Sequence, residues 1–244
     1  IHVKNLNDQE YVDNHYLIFA TKDGLMKKTT LESYSRPRAN GIIALGLREG
    51  DRLIRVTLTD GKSQMLVASY NGKVVRFPED TVRPMGRTAT GVRAIKLDED
   101  GKDCVVGMIC VEEGSKDTVL VISDKGYGKR TMLDDETGEP IYRITNRGGK
   151  GVKTMNITDK TGNLIGMEAV NDEQDLMLIT KSGTAIRMPM TSISILGRAT
   201  QGVKLIELQK RNDTLMFGCT VPKEEVEEQT LDEVTNQENT TTEE

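Results

Sequence analysis

The chain has 244 residues, 36% hydrophobic and 29% charged, enough to bury a core as one large domain or two small ones. Only 4% are aromatic and Trp is absent, so core filling falls to Val, Ile, Leu and the eleven Met, and a base-stacking surface for single strands is poorly supplied. The formal net charge of −5 is uneven, because residues 222–244 hold nine carboxylates against one lysine, −8, which leaves +3 for residues 1–221.

A nucleic-acid partner, if there is one, is therefore expected to be double-stranded. The acidic tail (222–244) cannot bury enough apolar surface to fold alone and is expected to be disordered, either solubilising the chain or competing with DNA for the basic body. Cys104, Cys110 and Cys219 lack any Cys-x-x-Cys spacing and read as buried free thiols in a reducing compartment. His2 and His15 are too isolated to suggest a metal centre. No signal peptide or membrane-length apolar run is visible, which points to the cytoplasm.

In chain order, residues 1–15 begin mid-pattern at Ile1 and read as the remnant of a preceding unit, the chain being taken as a fragment. Residues 16–28 then alternate β-branched and aromatic positions around Asp23-Gly24, the pattern of a hairpin whose turn needs positive φ. The pattern returns at 65–76, 119–130 and 177–187, with turn glycines Gly24, Gly72, Gly126 and Gly183 separated by 48, 54 and 57 residues. That period suits propeller-type blades rather than helical repeats. The units run over about 16–63, 64–117, 118–175 and 176–221.

Each hairpin leads to a second landmark: Arg38-Ala-Asn-Gly41, Arg87-Thr-Ala-Thr-Gly91, Arg147-Gly-Gly-Lys-Gly151 and Arg198-Ala-Thr-Gln-Gly202. A short strand is predicted after each landmark glycine, at 42–45, 92–97, 152–157 and 203–208, with Arg93, Lys153 and Lys204 on one face. A fourth strand follows a turn, as at 51–58, 104–111 and 164–170. The fold is thus all-β, about four four-stranded blades stacked so that the landmark loops recur along one rim.

The third loop, Asn146-Arg-Gly-Gly-Lys-Gly151, carries Arg147, Lys150 and, just beyond, Lys153, while Gly148, Gly149 and Gly151 let an anion approach the backbone amides. It reads either as a phosphate grip or as a solvated turn. The candidate DNA-binding residues are Arg36, Arg38, Arg87, Arg93, Arg147, Gly148, Gly149, Lys150, Gly151, Lys153, Arg198 and Lys204. Lys27, Lys28, Arg76, Lys129, Arg130 and Arg187, just after the hairpin turns, either widen the track or guard solvated strand edges. Gly148-Gly-Lys150-Gly lacks the earlier Gly and the following Ser or Thr of a Walker loop.

The repeated hairpins, the Gly-Arg-Ala-Thr-x-Gly-Val loop and above all Asn146-Arg-Gly-Gly-Lys-Gly-Val-Lys153 resemble the C-terminal domain of the DNA gyrase A protein, over the chain up to about Val221; the related component of topoisomerase IV shares the repeat. The resemblance implies a β-pinwheel, closed or open as a spiral, in which each blade borrows a strand from its neighbour. It also implies a basic rim that wraps duplex DNA with positive handedness, so that strand passage in the ATP-dependent enzyme introduces negative supercoils. The partners implied are double-stranded DNA, the rest of the gyrase A protein and the ATPase component in an A2B2 assembly, the fragment alone being monomeric; no membrane and no cofactor are implied. Catalytic residues are expected elsewhere, which leaves the six tyrosines as packing or surface residues. Arg147 to Gly151 match the family's box residue for residue; Thr145 and Asn146 replace its first two positions, and the sequence sits in the third unit rather than the first. That departure bears on complete wrapping by this chain, not on binding. The competing reading, from another class, is a propeller-like protein-binding scaffold.

Overall fold

The computed structural model describes residues 3, 6–99, 101–208 and 213–223, so the expected acidic tail lies outside the described residues apart from its first two positions. A short helix, α1 (Gln9–Asp13), is capped by Asp8, whose carboxylate accepts from the Tyr11 N–H. Thereafter the regular structure is β apart from single 3-10 turns after three of the hairpins. The first unit contributes β1 (Tyr16–Thr21), β2 (Leu25–Thr30) and β3 (Leu53–Thr59); the second β4 (Gln64–Ser69), β5 (Lys73–Pro78), β6 (Val92–Arg93) and β7 (Val105–Val111). The third adds β8 (Thr118–Ser123), β9 (Tyr127–Met132), β10 (Val152–Lys153) and β11 (Leu164–Val170); the fourth β12 (Gln174–Thr180), β13 (Ala185–Pro189), β14 (Val203–Lys204) and β15 (Leu215–Pro222). All four hairpin glycines adopt positive φ, 78–87°, as the turns demand.

The strands do not stay within their own units. The sheets read β3-β1-β2-β6, β10-β5-β4-β7, β11-β8-β9-β14 and β13-β12-β15, all antiparallel. Each two-residue strand after a landmark glycine therefore completes the preceding blade: Met26 faces Val92, Val74 faces Val152 and Gly128 faces Val203. Among the described residues the fourth sheet has three strands rather than the expected four, its outer position being the one that the short strand of the following unit fills in the other three sheets. The strand predicted at 42–45 joins no sheet among the described residues, and no hairpin described before it offers an edge.

The cores lie between blades. One layer packs Ile18 and Met26 of the first blade on Met65, Val67 and Phe77 of the second. The next joins Leu66, Val74 and Val111 to Val119, Tyr127 and Tyr142, and a third joins Leu120 and Ile122 to Leu176, Leu178 and Met190. Each fully buried side chain of this size contributes about 1.5–3 kcal/mol relative to exposure, which is why a lone blade is not viable. The outer face of the first blade, Leu17, Phe19 and Leu31, is covered by Val12 of α1, so the segment expected to be a blade remnant folds, where it is described, as a turn and a helix. The fourth blade leaves Ile179, Met216 and Phe217 exposed. The cysteines are free, as expected, but half-buried rather than buried; burial still pushes the Cys110 thiol up to about 12.

Candidate nucleic-acid interface

The cations of the repeat fall into two classes. One position on each hairpin, three residues before the 3-10 turn or its equivalent, holds Lys28, Arg76, Arg130 and Arg187, and every one is matched with a carboxylate. Lys28 pairs with Glu79 at 2.7 Å, both buried; Arg76 with Asp134 at 2.7 Å; Arg130 with Asp172 at 2.5 Å; Arg187 with Asp175 at 2.8 Å. Arg76 and Arg130 also donate to the carbonyls of Leu133 and Ile193. The residue before Lys28 and before Arg130 is a lysine, and both Lys27 and Lys129 are wholly buried. The hairpin cations are thus engaged with protein neighbours, Lys27, Lys28, Arg76, Lys129 and Arg130 being buried and Arg187 partly exposed. Period-2 alternation turns them inward or sideways onto neighbours that the sequence alone does not place beside them.

The second class sits on the landmark loops. Each of the last three loops is an arch of ten residues stapled at both ends to the preceding hairpin. Met85, Thr145 and Leu196 N–H donate to the carbonyls of Lys28, Arg76 and Arg130, and Ala94, Thr154 and Leu205 N–H donate to those of Gly24, Gly72 and Gly126, all at 2.8–2.9 Å. Within each arch Arg87, Arg147 and Arg198 share the third position, and Arg93, Lys153 and Lys204 the ninth. The landmark glycines Gly91, Gly151 and Gly202 take φ of 99°, 74° and 78°, and a Cβ there would lie under 3 Å from the carbonyls of Met26, Val74 and Gly128. Only glycine lets the arch pass so close to its neighbour's strand.

Successive arches touch. Arg147 Nη1 donates to the Arg93 carbonyl at 3.3 Å, and Arg198 Nη1 to the Lys153 carbonyl at 2.5 Å, so the third residue of one arch rests on the ninth of the arch before. Gly148 N–H donates to the Ala94 carbonyl at 2.6 Å and Lys96 N–H to that of Gly149 at 2.8 Å. The chain of contacts brings Arg87, Arg93, Arg147, Lys153, Arg198 and Lys204 into one row. Among the described residues none of these except Lys204 has a carboxylate at salt-bridge distance; Lys204 pairs with Glu207 at 2.7 Å, which raises its pKa and removes it from the free set.

Arg36 and Arg38 fit the row less regularly. Counting back from Gly41, they hold the second and fourth arch positions, and the ninth is Ile43, so the first unit does not repeat the basic pattern. They nevertheless share a polar recess of about 280 Å³ with Arg87, Ser33 and Ser35. Lys150 is exposed beside Asn146 and Gly149 in a second recess of about 320 Å³, together with Arg143. Arg143 and its counterpart Arg83, both exposed and without a carboxylate partner among the described residues, are basic positions that the sequence reading missed. Their spacing of four residues before Arg147 and Arg87 is the signal that could have found them. Among the described residues no group of acidic, His and Cys side chains could hold a metal, and no helix is long and apolar enough to cross a membrane.

Comparison with known proteins agrees with this architecture. The chain is 44% identical over 228 residues, 93% of its length, to the DNA gyrase A protein of Staphylococcus aureus strain MRSA252, and 44% identical over 225 residues to that of strain NCTC 8325 / PS 47. It spans about a quarter of the length of those relatives, 24% in each case. The fold is shared with a crystal structure of the C-terminal domain of DNA topoisomerase IV (TM-score 0.77, 22% identity, 86% of this chain and 62% of that one). It is shared too with a structure of the DNA gyrase A C-terminal domain (TM-score 0.72, 23% identity, 89% of this chain and 72% of that one). The family model "DNA gyrase C-terminal domain, beta-propeller" matches residues 15–60, 64–112, 117–135, 142–171 and 174–217, and the chain belongs to that family.

Proposed function

We propose that the row of arches is a track for duplex DNA, gripping phosphates with little regard to sequence and bending the duplex along consecutive blades. The observation that carries this reading is the division of the cations: Lys28, Arg76, Arg130 and Arg187 on the hairpins are matched with carboxylates, while Arg87, Arg93, Arg147, Lys153 and Arg198 in the row, and Lys150 beside it, have no carboxylate at salt-bridge distance among the described residues. A folded protein that needed only solubility would gain nothing from segregating its charge in this way. Bending a duplex over a few tens of base pairs costs on the order of several kcal/mol, more than one arch can offset and within reach of several in register. As part of a longer gyrase A protein in a cytoplasmic holoenzyme with an ATPase component, the track would present DNA for negative supercoiling. It would use no cofactor of its own.

The test is binding of a linear duplex of about 150 base pairs, one persistence length, across a salt series. Affinity should fall steeply, and Arg93→Ala or Arg147→Ala should each reduce the log–log salt slope by about 0.9 while weakening all duplex sequences alike. Absence of binding at low salt would count for the protein-binding scaffold instead.

A further inference from the structure

Lys27 and Lys129 are wholly buried, yet neither is an ordinary core residue. Each ammonium lies buried under the arch of the following blade and donates to two backbone carbonyls there or beside it. Lys27 Nζ reaches Arg87 O at 2.5 Å and Ala44 O at 2.6 Å; Lys129 Nζ reaches Gly197 O at 2.5 Å and Arg198 O at 2.6 Å. In both cases one anchored carbonyl belongs to the arch's own third-position arginine. Blades two and four have Val75 and Ile186 at the equivalent place, and the glycine-rich box loop is the arch that lies over Val75.

What surrounds these ammonium groups is unusual. Lys27 faces the Phe19 ring at 4.9 Å, with Tyr34 donating to the same Ala44 carbonyl, and its charged neighbour is Arg87. Lys129 has Arg198 as its charged neighbour, with Tyr142 near the same guanidinium. No carboxylate lies at salt-bridge distance from either lysine among the described residues, although Lys28 and Arg130, one residue further on, each have one. Burial, and then the adjacent guanidinium, push both ammonium groups down to about 8. Burial raises Tyr34 and Tyr142 above the usual phenol range, so both stay neutral in that window.

We propose that Lys27 and Lys129 are positioning residues for DNA binding: each buried ammonium fixes the backbone of the next blade's arch and keeps a second positive charge beneath Arg87 or Arg198 that a phosphate, and no protein carboxylate, is there to balance. The inference rests on the track reading. It adds that two arches rest on a buried lysine, while the box arch between them is held instead through the backbone of Gly148 and Gly149. A phosphate seated on Arg87 or Arg198 stabilises the protonated lysine below, so binding takes up protons near pH 8 and weakens as pH rises from 7 to 9. Folding responds oppositely. A folded-state pKa below the unfolded value of 10.5 means the unfolded chain binds more protons between about pH 8 and 10.5, so these lysines penalise the fold less as pH rises through that window.

The experiment measures duplex affinity of the full chain between pH 7 and 9, with calorimetry in buffers of different ionisation enthalpy to count protons, for the parent and for Lys27→Met/Lys129→Met. The expected result is proton uptake by the parent. The folded variant should bind on the order of tenfold more weakly at pH 7, with a flat pH profile. Should the variant fail to fold, the parent's proton count decides alone, and Lys27→Val, the residue type blade two uses there, supplies the milder comparison. A parent that binds with no proton uptake, or a folded variant that matches it, overturns the role of the lysines and leaves the track standing. A parent that does not bind at low salt overturns the track itself, and the lysine proposal with it.

Discussion

At Gly91, Gly151 and Gly202 two demands coincide, a positive φ and the absence of a Cβ against a neighbour's carbonyl, whereas Gly41 has the same conformation, φ 79°, and open space around it. The four positions look interchangeable in the sequence and are not so in the structure. Gly91→Ala or Gly202→Ala should destabilise the protein by about 3 kcal/mol or more, the left-handed penalty plus displacement of a strand, while Gly41→Ala should cost about 1 kcal/mol from backbone strain alone. Urea unfolding of the three variants checks this, and equal losses at Gly41 and Gly91 would show that the close approach to Met26 does not matter. Lys28 makes the complementary point for charge. Its pairing with Glu79 is closed off from water, and Glu79 also accepts from the Thr59 hydroxyl at 2.5 Å and the Ser63 N–H at 3.2 Å. A lysine so placed is part of the core.

Between a hairpin and the 3-10 turn of the next blade, that pair acts as a clasp, because Glu79 belongs to the turn and Lys28 to the hairpin of the blade before. Glu79→Gln leaves the ammonium buried without a counter-charge and should cost about 3–5 kcal/mol, read from thermal or urea midpoints; a loss below about 1 kcal/mol would mean water reaches the site. Elements of this size were legible in the sequence wherever the signal is local. Turn glycines, alternation and the landmark loops identified all four hairpins and three of the arches, since each rests on a few adjacent residues. What stayed hidden depends on partners far along the chain. Arg76 meets Asp134, 58 residues on, and Arg130 meets Asp172, 42 residues on, so nothing near either arginine announces that its charge is consumed. The two-residue strands Val92–Arg93, Val152–Lys153 and Val203–Lys204 carry no local mark of which sheet they complete.

For the molecule as a whole, exchange makes every described blade boundary a shared one. Apolar layers lie between blades, short strands cross from each unit to the one before, and Arg55 of β3 reaches Glu168 of β11 through two bonds of 2.9 Å, linking the first blade to the third. Heating should therefore give a single calorimetric transition whose measured enthalpy equals its van't Hoff value, whereas separate melting of individual blades would show that the arches do not couple them. The staples carry one more consequence, which concerns force. An arch is fastened to its own blade by covalent chain and to its neighbour's hairpin by paired hydrogen bonds at each foot. On the proposed function, a stiff duplex straightening against the crown of an arch would load two blades at once, as a lap joint spreads a pull over two overlapping planks, and no single hairpin would have to resist the spring of the DNA alone.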